Sequence, residues 1–382
     1  MLPGKLTFYS ILFILLKAMK VILAGYNVDK EVIDDLKKKS PHREDVTPET
    51  LSASYARISR DPRPVNELRA VARKEVEEAR RSNQTIIFKM GHHSVAEHAV
   101  FNFDILGVSR LAIEEIEKFR LCSYTEKSQR YITLTDDFVI PEEIKKSGHQ
   151  DIFVKTVKSQ NALYHKLFKR LKPHFLKKHR EMAADPKTHS LLEGWAKEDA
   201  RYVTSLATEG QLGMTVNARN LEFMIRRFAS KGLAELKEFN QKIYTLAKEV
   251  APSIILFTEA SDFDAKTYGE IREKARSFSA PAAKNMHLVS LVDHTPEADN
   301  KLVASLLHTS SDLSYPQCLQ KARNLKPEER RELVELAFKH MEFYDFPLRE
   351  FEYLSLTFDM VISAACFAQL KRHRMATLTA QG

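Results

Sequence analysis

Residues 97–109 read EHAVFNFDILGVS, and this stretch decides the fold. Its apolar residues Phe101, Phe103 and Ile105 alternate with polar or smaller ones, which is the period of two expected of a strand with one buried face. An amphipathic helix is predicted directly after it, over residues 109–121. Strands and helices mixed in this way predict a domain that contains both, in the α+β class.

The same pattern returns near the end of the chain. Residues 350–363 read EFEYLSLTFDMVIS, in which Phe358 and Asp359 fall on Phe103 and Asp104. The spacing is roughly 255 residues, longer than any solenoid unit, so the sequence predicts two copies of one domain. The predicted organisation is an upstream segment at 1–18, a complete first domain at 19–270, a linker at 271–284 and the front half of a second domain at 285–382.

The composition favours anionic partners. The chain has 382 residues, a net charge of +8 and an isoelectric point near 9.1. A basic surface suits nucleotide phosphates, phosphorylated cofactors, nucleic acid or a membrane surface. Few aromatic residues interleave with the lysine runs, which disfavours stacking on single-stranded nucleic acid. The three cysteines form neither a disulfide framework nor a zinc pattern, so we expect a cytoplasmic protein.

The N-terminal residues 1–18 contain an apolar run that is too short to span a bilayer as a helix. No small-residue cleavage site follows it. The sequence from Met19 reads as a start methionine followed by a buried strand at Val21–Ala24. We interpret residues 1–18 as upstream translation, with a weak membrane anchor as the alternative.

A first group of polar residues precedes the strand, in GHHSVAEH at residues 91–98. Three histidines beside Glu97 suggest a metal site, but their spacing matches neither H-E-x-x-H nor H-x-x-E-H, and we predict no metal. Alternatively, Ser94 and Glu97 form a capping box at a helix start, which leaves the histidines unexplained.

A second group lies in FRLCSYTEKSQRYI at residues 119–132, where hydroxyls and Arg130 offer the donors that bind a phosphate. A plain surface turn is the simpler interpretation. A third group has three arginines, Arg201, Arg219 and Arg227, in largely helical segments. Their guanidinium groups either point into a polar cavity or make ordinary ion pairs at the surface.

The order of these groups along the chain is more specific than any one of them. An H-x-S-x-x-E-H box, a strand, a stretch like R-H-R-x-x-S-x-x-E-x-S-x-R-Y, then A-R and T-x-N-x-R with a later Arg and Glu resembles the flavin-dependent thymidylate synthases. The resemblance covers residues 19–265 as one complete domain and residues 285–382 as the front half of another.

This resemblance implies an α+β fold with a twisted antiparallel sheet and long helices, assembled as homotetramers with sites between subunits. It implies FAD as the cofactor, NADPH as the reductant, and methylation of dUMP to dTMP with methylenetetrahydrofolate as the carbon donor. Because hydride from the reduced flavin activates the pyrimidine, the protein contributes positioning and electrostatics rather than a nucleophile.

Carried over by position, the resemblance assigns roles to individual residues. The flavin-binding residues would be His92, Ser94, Glu97, Arg120, Asn217 and Arg219, joined by Arg372, His373 and Arg374 of the second copy. The dUMP-binding residues would be Glu126, Ser128, Gln129, Arg130, Arg201 and Arg227. Arg227 would also be catalytic, because its charge would stabilise the negative charge that develops on the uracil ring.

The sequence also departs from the family pattern. The first copy has Lys118-Phe119-Arg120 in place of R-H-R, and Glu114-Glu115 would place carboxylates where the flavin phosphates require cations. Further replacements are Gln129 for Gly, Thr204-Ser205 for Leu-Pro and Lys231 for His. The second copy keeps R-H-R at Arg372–Arg374 but has Tyr353 for the second His of the box and Thr377 for the Ser.

Two functions are compatible with this pattern. In the first, each copy supplies what the other has lost, and the chain is an active enzyme that behaves as a built-in dimer and self-associates as a homodimer or pseudo-tetramer. In the second, the chain is a catalytically degenerate homologue that binds flavin or nucleotide in a structural or regulatory role. Nucleic-acid binding through the basic surface is a third alternative, with less support.

Overall fold

The computed structural model describes residues 19–29, 31–32, 35, 48–49, 76–85, 93–127, 133–134, 136–278 and 287–381. The predicted upstream segment 1–18 lies outside these ranges. Contacts divide the chain into two units: unit 1 contains Met1–Ser279 and Ala368–Gly382, and unit 2 contains Ala280–Phe367. The C-terminal residues that the repeat assigns to the second copy therefore pack in unit 1.

Unit 1 is built on a four-stranded antiparallel sheet. Its strands are β1 (Lys20–Tyr26), β2 (Val100–Ser109), β3 (Cys122–Glu126) and β4 (Glu209–Asn217), in the spatial order β1-β2-β4-β3. The strands predicted at Val21–Ala24 and within residues 97–109 are confirmed as β1 and β2. The predicted α+β class with an antiparallel sheet is confirmed as well.

The core of unit 1 is centred on β2, which lies between β1 and β4. Phe101, Phe103 and Ile105 are at most 1% exposed, whereas Asn102 and Asp104 between them are exposed. Successive side chains of a strand point to opposite faces of the sheet, so the period of two in the sequence becomes one buried and one open face.

The described part of unit 1 also contains α-helices. They are α1 (Val76–Asn83), α2 (Arg110–Ile116), α3 (Glu142–Lys146), α4 (Gln150–Lys178), α5 (Arg180–Ala184), α6 (Pro186–Ala200), α7 (Ala218–Ala229), α8 (Ala234–Val250) and α9 (Asp262–Arg276). Two 3₁₀ helices span His93–His98 and Arg201–Val203. The core side chains of α7 and α8 include Leu221, Phe228 and Phe239, all at most 1% exposed. The long basic helix predicted over residues 150–180 is confirmed as α4.

Two of the four strands are not predicted by the sequence. The surface-turn interpretation of residues 119–132 is wrong for Cys122–Glu126, which pairs with β4 as an edge strand of the sheet. In β4, Leu212, Met214 and Val216 are buried and alternate with more exposed residues, so a period of two is present. Two glycines in that segment hide the pattern, because glycine is depleted in strands.

In the described residues, both units have a strand, then helical structure, then a 3₁₀ helix and a second strand. The strands of unit 2 are β5 (Val289–His294) and β6 (Leu356–Met360), its helices are α10 (Ala298–Thr309), α11 (Tyr315–Asn324) and α12 (Pro327–Phe338), and a 3₁₀ helix spans Arg349–Tyr353. β5 pairs with β6 in antiparallel fashion, and Leu291 opposite Phe358 corresponds to Leu23 opposite Phe103. This shared order supports the predicted duplication.

The short helix α13 (Ala364–Leu370) follows β6 as α2 follows β2. The boundary between the two units falls inside α13, after Phe367. In addition, α9 continues to Arg276, inside the predicted linker 271–284. The boundaries drawn from the repeat stay a prediction about the two copies, since contacts divide the chain in a different place.

Ion pairs join the first turn of α9 to the last turn of α7. Ser261 caps α9 by a reciprocal pair of hydrogen bonds with Asp264, and Ser261 Oγ donates to Asp264 Oδ2 at 2.8 Å. The same carboxylate pairs with Arg226 at 3.1 Å and with Arg227 at 3.0 Å. Burial alone would raise the pKa of Asp264, but the hydrogen bonds from Ser261 and the two guanidinium groups hold it below its usual value.

We expect Ile105→Ala to lower the free energy of unfolding of unit 1 by about 2–5 kcal/mol, because it leaves a cavity in the core where the Ile105 side chain is fully buried. Trp195 is the only tryptophan and lies on α6, so its fluorescence in a urea titration reports on unit 1. Ile152→Ala is the matched control: Ile152 is 64% exposed, and its loss changes stability by no more than about 0.5 kcal/mol. Equal effects of the two substitutions would contradict the assigned core.

We expect the stability that Asp264 contributes to be present at neutral pH and lost in acid. Its folded pKa lies below the ordinary value of 3.8, so the contribution is complete above that value and disappears as the pH falls through the folded pKa. Asp264→Asn should therefore be less stable than the wild type at pH 7, with a gap that narrows below about pH 4. Urea titrations of both proteins at several pH values measure the gap, and a gap that is constant with pH would contradict this prediction.

Candidate functional site

A cleft of about 860 Å³ opens at one end of the unit 1 sheet. Its walls come from the 3₁₀ helix before β2, the turn after α2, the ends of three strands and the turn after α13. The lining residues are Glu97, Val100, Arg120, Leu121, Cys122, Ser123, Thr215, Val216, Asn217, Arg372, His373, Arg374, Met375 and Ala376. A volume in this range is typical of sites for small molecules and cofactors.

Antiparallel pairing brings the strand ends together at the cleft. Val100 at the start of β2 lies opposite Asn217 at the end of β4, and Cys122 at the start of β3 lies opposite Val216. The turn after α2 then places Arg120 next to the start of β3. The position of the cleft therefore follows from the register of the sheet.

Helix α2, which leads into Arg120, is fixed at its first turn by two polar side chains. Ser109 accepts a hydrogen bond from Ala112 N at 3.1 Å, which caps the helix. Glu235 of α8 accepts from both Ser109 N and Ser109 Oγ, each at 2.6 Å. Burial raises the pKa of Glu235, which the hydrogen bonds from Ser109 oppose. Glu235 is the later Glu of the ordered sequence pattern described above. It binds the first turn of α2 and does not line the cleft.

The C-terminal turn brings Arg372, His373 and Arg374 into the cleft. Arg372 N donates to Gln369 O at 3.1 Å and His373 N donates to Leu370 O at 3.0 Å, so the turn is hydrogen-bonded to α13. Arg374 Nη1 lies 3.5 Å from Arg120 O. The predicted flavin-binding residues of the second copy therefore lie beside Arg120 of the first.

The residue that replaces histidine in the first copy does not line the cleft. Phe119 packs edge-on against Phe223 at 5.6 Å and Phe228 at 5.5 Å, measured between ring centroids. It is an apolar side chain that joins the edge of the core. Among the residues that line the cleft, the histidine comes from the second copy, at His373.

The cleft carries more positive than negative charge. Arg120, Arg372 and Arg374 line it, and its carboxylate, Glu97, is paired with Arg219. Burial raises the pKa of the Cys122 thiol, and the charge of Arg374 opposes that rise. An arrangement of three guanidinium groups attracts and orients phosphate oxygens.

Glu97, Asn217 and Arg219 meet where β4 passes into α7. Asn217 caps α7 by accepting a hydrogen bond from Asn220 N at 2.9 Å. Arg219 in the first turn of α7 donates to Glu97. Ser94 is an exposed residue within the 3₁₀ helix and does not cap an α-helix, so the capping-box interpretation of Ser94 and Glu97 is wrong. The ion pair with Arg219 uses the Glu97 carboxylate instead.

Other predicted site residues lie away from this cleft. Arg227 pairs with Asp264 at the far end of α7, about 15 Å from Asn217 by the rise of the helix. Arg201 is 8% exposed and lies 3.5 Å from Glu198, and Glu126 pairs with Arg110 inside the unit. The remaining predicted residues, His92, Ser128, Gln129 and Arg130, lie outside the described residues. The roles assigned to all of these stay predictions.

The carboxylates expected to repel a phosphate are neutralised by basic side chains. Glu114 pairs with Arg110 at 2.9 Å and with Lys371 at 2.7 Å. Glu115 pairs with Lys231 at 2.8 Å and with Lys118. Burial would raise the pKa of Glu115, but the hydrogen bonds from these two lysines hold it below its usual value.

Several lining residues are absent from the predicted site. The sheet contributes Cys122 and Thr215, and the C-terminal turn contributes Met375. Ser123 also lines the cleft and is one of the hydroxyls expected to bind a phosphate. A strand assignment for β3 and β4 would have found Cys122 and Thr215, because the register places these residues at the same end of the sheet. Met375 directly follows R-H-R, so the same turn carries it.

The lining residues fit a phosphorylated cofactor such as FAD. The guanidinium groups of Arg120, Arg372 and Arg374 suit its phosphates, and the apolar side chains of Val100 and Met375 suit its ring system. Within the described ranges, no three His, Cys, Asp or Glu side chains are placed to bind a metal ion. No helix in that part of the chain has the length and apolarity needed to cross a membrane.

The chain is similar in sequence to two proteins that carry the same name. A protein from Clostridium tetani called flavin-dependent thymidylate synthase is 29% identical over 56% of this chain and 83% of its own length. One of the same name from Pyrococcus abyssi is 33% identical over 41% of this chain and 58% of its own length, less than two thirds. A UMP/dUMP methylase structure from Streptomyces cacaoi, bound with 5-Br dUMP, has 17% identity and a TM-score of 0.42, covering 62% of this chain and 93% of that one.

The family profile described as "Thymidylate synthase complementing protein" matches residues 43–253 and 290–381, which together are more than half of the chain. The break between the two matched segments contains the predicted linker at 271–284. The chain belongs to the thymidylate synthase complementing protein family.

Proposed function

We propose that the protein is an FAD-dependent enzyme that reductively methylates dUMP to dTMP, with methylenetetrahydrofolate as carbon donor and NADPH as reductant. The observation that carries this proposal is the meeting of Arg372, His373 and Arg374 with Arg120 and Glu97 in one cleft. The family and the flavin-dependent relatives support the cofactor and the reaction. The predicted cytoplasmic location belongs to the same proposal, as does the expectation that the protein needs neither a membrane nor nucleic acid.

The cleft would hold FAD through residues of both copies. The guanidinium groups of Arg120, Arg372 and Arg374 would pair with its phosphate oxygens. Asn217 and His373 would add neutral hydrogen-bonding groups nearby. When bound, the flavin supplies the hydride, and the side chains of the chain orient it and stabilise charge.

A second candidate function is flavin or nucleotide binding without methylation. It is favoured by Arg227, which is paired with Asp264 and lies far along α7 from the cleft. If methylation occurs, Arg227 would act in a site that a second molecule of this chain completes, which fits the predicted self-association. The two functions therefore differ in whether Arg227 affects turnover.

We expect the purified chain to bind FAD near one per chain, seen as flavin absorption bands. Arg374→Ala should weaken FAD binding on the order of tenfold or more, because it removes a charge that would face a phosphate. Arg272→Ala is the matched control, since Arg272 is an exposed arginine on α9 away from the cleft. A colourless protein that also fails to take up added FAD would rule out this function.

We expect Arg227→Ala to reduce dTMP formation by at least about a hundredfold while flavin stays bound, because it removes charge stabilisation from the reaction step. Arg226→Ala is the matched control, since Arg226 pairs with the same carboxylate but has no predicted role. Radiolabelled dUMP turnover and the flavin spectrum are measured together. Equal activity of the wild type and Arg227→Ala would refute the catalytic role, and flavin binding without turnover in the wild type would favour the second function.

A further inference from the structure

A buried ion-pair cluster lies at the start of the C-terminal turn. Lys371 directly precedes Arg372, and its Nζ lies 2.7 Å from Glu114 Oε2 and 2.8 Å from Glu117 Oε2. The exposed fractions of the three side chains are 5% for Lys371, 14% for Glu114 and 4% for Glu117. An ammonium group so buried needs carboxylate partners, because an isolated charge is strongly disfavoured away from water.

The two segments that meet in this cluster are equivalent in the repeat. α2 and α13 follow the corresponding strands β2 and β6, and each leads into a turn of the same form. When the two helices are aligned end to end, Lys371 corresponds to Glu117 and Arg374 corresponds to Arg120. Both equivalent pairs are in contact, Lys371 with Glu117 at 2.8 Å and Arg374 with the carbonyl of Arg120 at 3.5 Å.

Contact between equivalent positions is the sign of a local two-fold arrangement, in which residues near the axis meet their own counterparts. Between two identical copies, Glu117 would meet another Glu117, or Lys371 another Lys371. Like charges buried at that distance repel strongly. Opposite charges can meet at the two-fold axis only if the two copies differ at the position that Glu117 and Lys371 occupy.

We propose that Lys371 is a positioning residue that locks the C-terminal turn of the second copy into the cleft of the first. The lock is specific to the copies within this chain, because the charge at the axis position is reversed between them. Its consequence for flavin binding rests on the proposed function, whereas the docking of the turn does not. Lys371 itself does not line the cleft and acts through Arg372, His373 and Arg374.

Hydrogen exchange followed by mass spectrometry tests the lock directly. In the full-length protein, Lys371→Met should speed exchange in the peptide over residues 368–381 by at least about tenfold, since it leaves Glu114 and Glu117 buried without their shared cation. Exchange in β2 should stay unchanged, which shows that unit 1 is folded. Lys158→Met is the matched control, because Lys158 is exposed on α4 and its loss should leave both peptides unchanged.

Charge reversal separates a specific pair from general packing. Lys371→Glu, which makes the two equivalent positions identical, should release the turn at least as much as Lys371→Met. Adding Glu117→Lys to that variant restores one ammonium group between carboxylates and should bring exchange back to within about threefold of the wild type. The proposal is overturned if the double variant Lys371→Glu, Glu117→Lys exchanges as fast over residues 368–381 as Lys371→Glu alone. It is also overturned if Lys371→Met exchanges at the wild-type rate.

Flavin titration of the same variants gives the functional readout. FAD affinity should fall on the order of tenfold in Lys371→Met and recover in the reversed pair, although neither change touches the cleft lining. If the wild type binds no flavin, the proposed function fails and the exchange result still decides on the lock. If flavin binds equally well to the wild type and to a Lys371→Met protein with a released turn, the positioning role is refuted.

Discussion

The register between β2 and β4 is the constraint on which the rest of unit 1 depends. With Phe103 opposite Met214, the apolar faces of both strands point into the same core, and a shift by one residue would expose them. The same register sets Val100 opposite Asn217, so that the strand ends, the start of α7 and the turn after α2 meet at one edge. The core and the cleft are therefore fixed by one set of backbone hydrogen bonds.

Departures from the family pattern lie next to one another and compensate in charge. Glu115, Lys118 and Lys231 each differ from the residue expected by resemblance, and together they form one ion-pair group. Glu114, a further departure, pairs with Lys371. Glu114 and Glu115, which the sequence suggests would repel a phosphate, are thus neutralised by ion pairs in the fold. This removes the main electrostatic argument that the site is degenerate. The cleft keeps its positive charge because its cations come from Arg120 and from Arg372 and Arg374 of the C-terminal turn.

How far the sequence predicts this structure depends on the range of the interaction concerned. β2 and α4 follow from local periodicity, because each buries one regular face. β3 and β4 do not, because β3 is short and glycines interrupt β4, and their pairing is decided by residues far apart in the chain. Of the predicted flavin-binding residues, Glu97, Arg120, Asn217, Arg372, His373 and Arg374 line one cleft, and Arg219 pairs with Glu97. Lys371, which directly precedes Arg372–Arg374, pairs with Glu114 and Glu117. No local pattern in the sequence predicts a contact between residues so far apart in the chain.

The two ends of α7 then define what a single chain can do. Its first turn holds Asn217 and Arg219 at the cleft, while its last turn holds Arg227 against Asp264, about 15 Å away along a rigid helix. A ligand that meets both ends has to span about 15 Å or be shared with a neighbouring molecule, because the helix keeps this separation. Within one chain, the C-terminal turn brings Arg372 and Arg374 into the cleft beside Arg120. The proposed role of Arg227 in chemistry at a flavin therefore depends on a ligand of that length, or on a neighbouring molecule whose own cleft faces that end of α7.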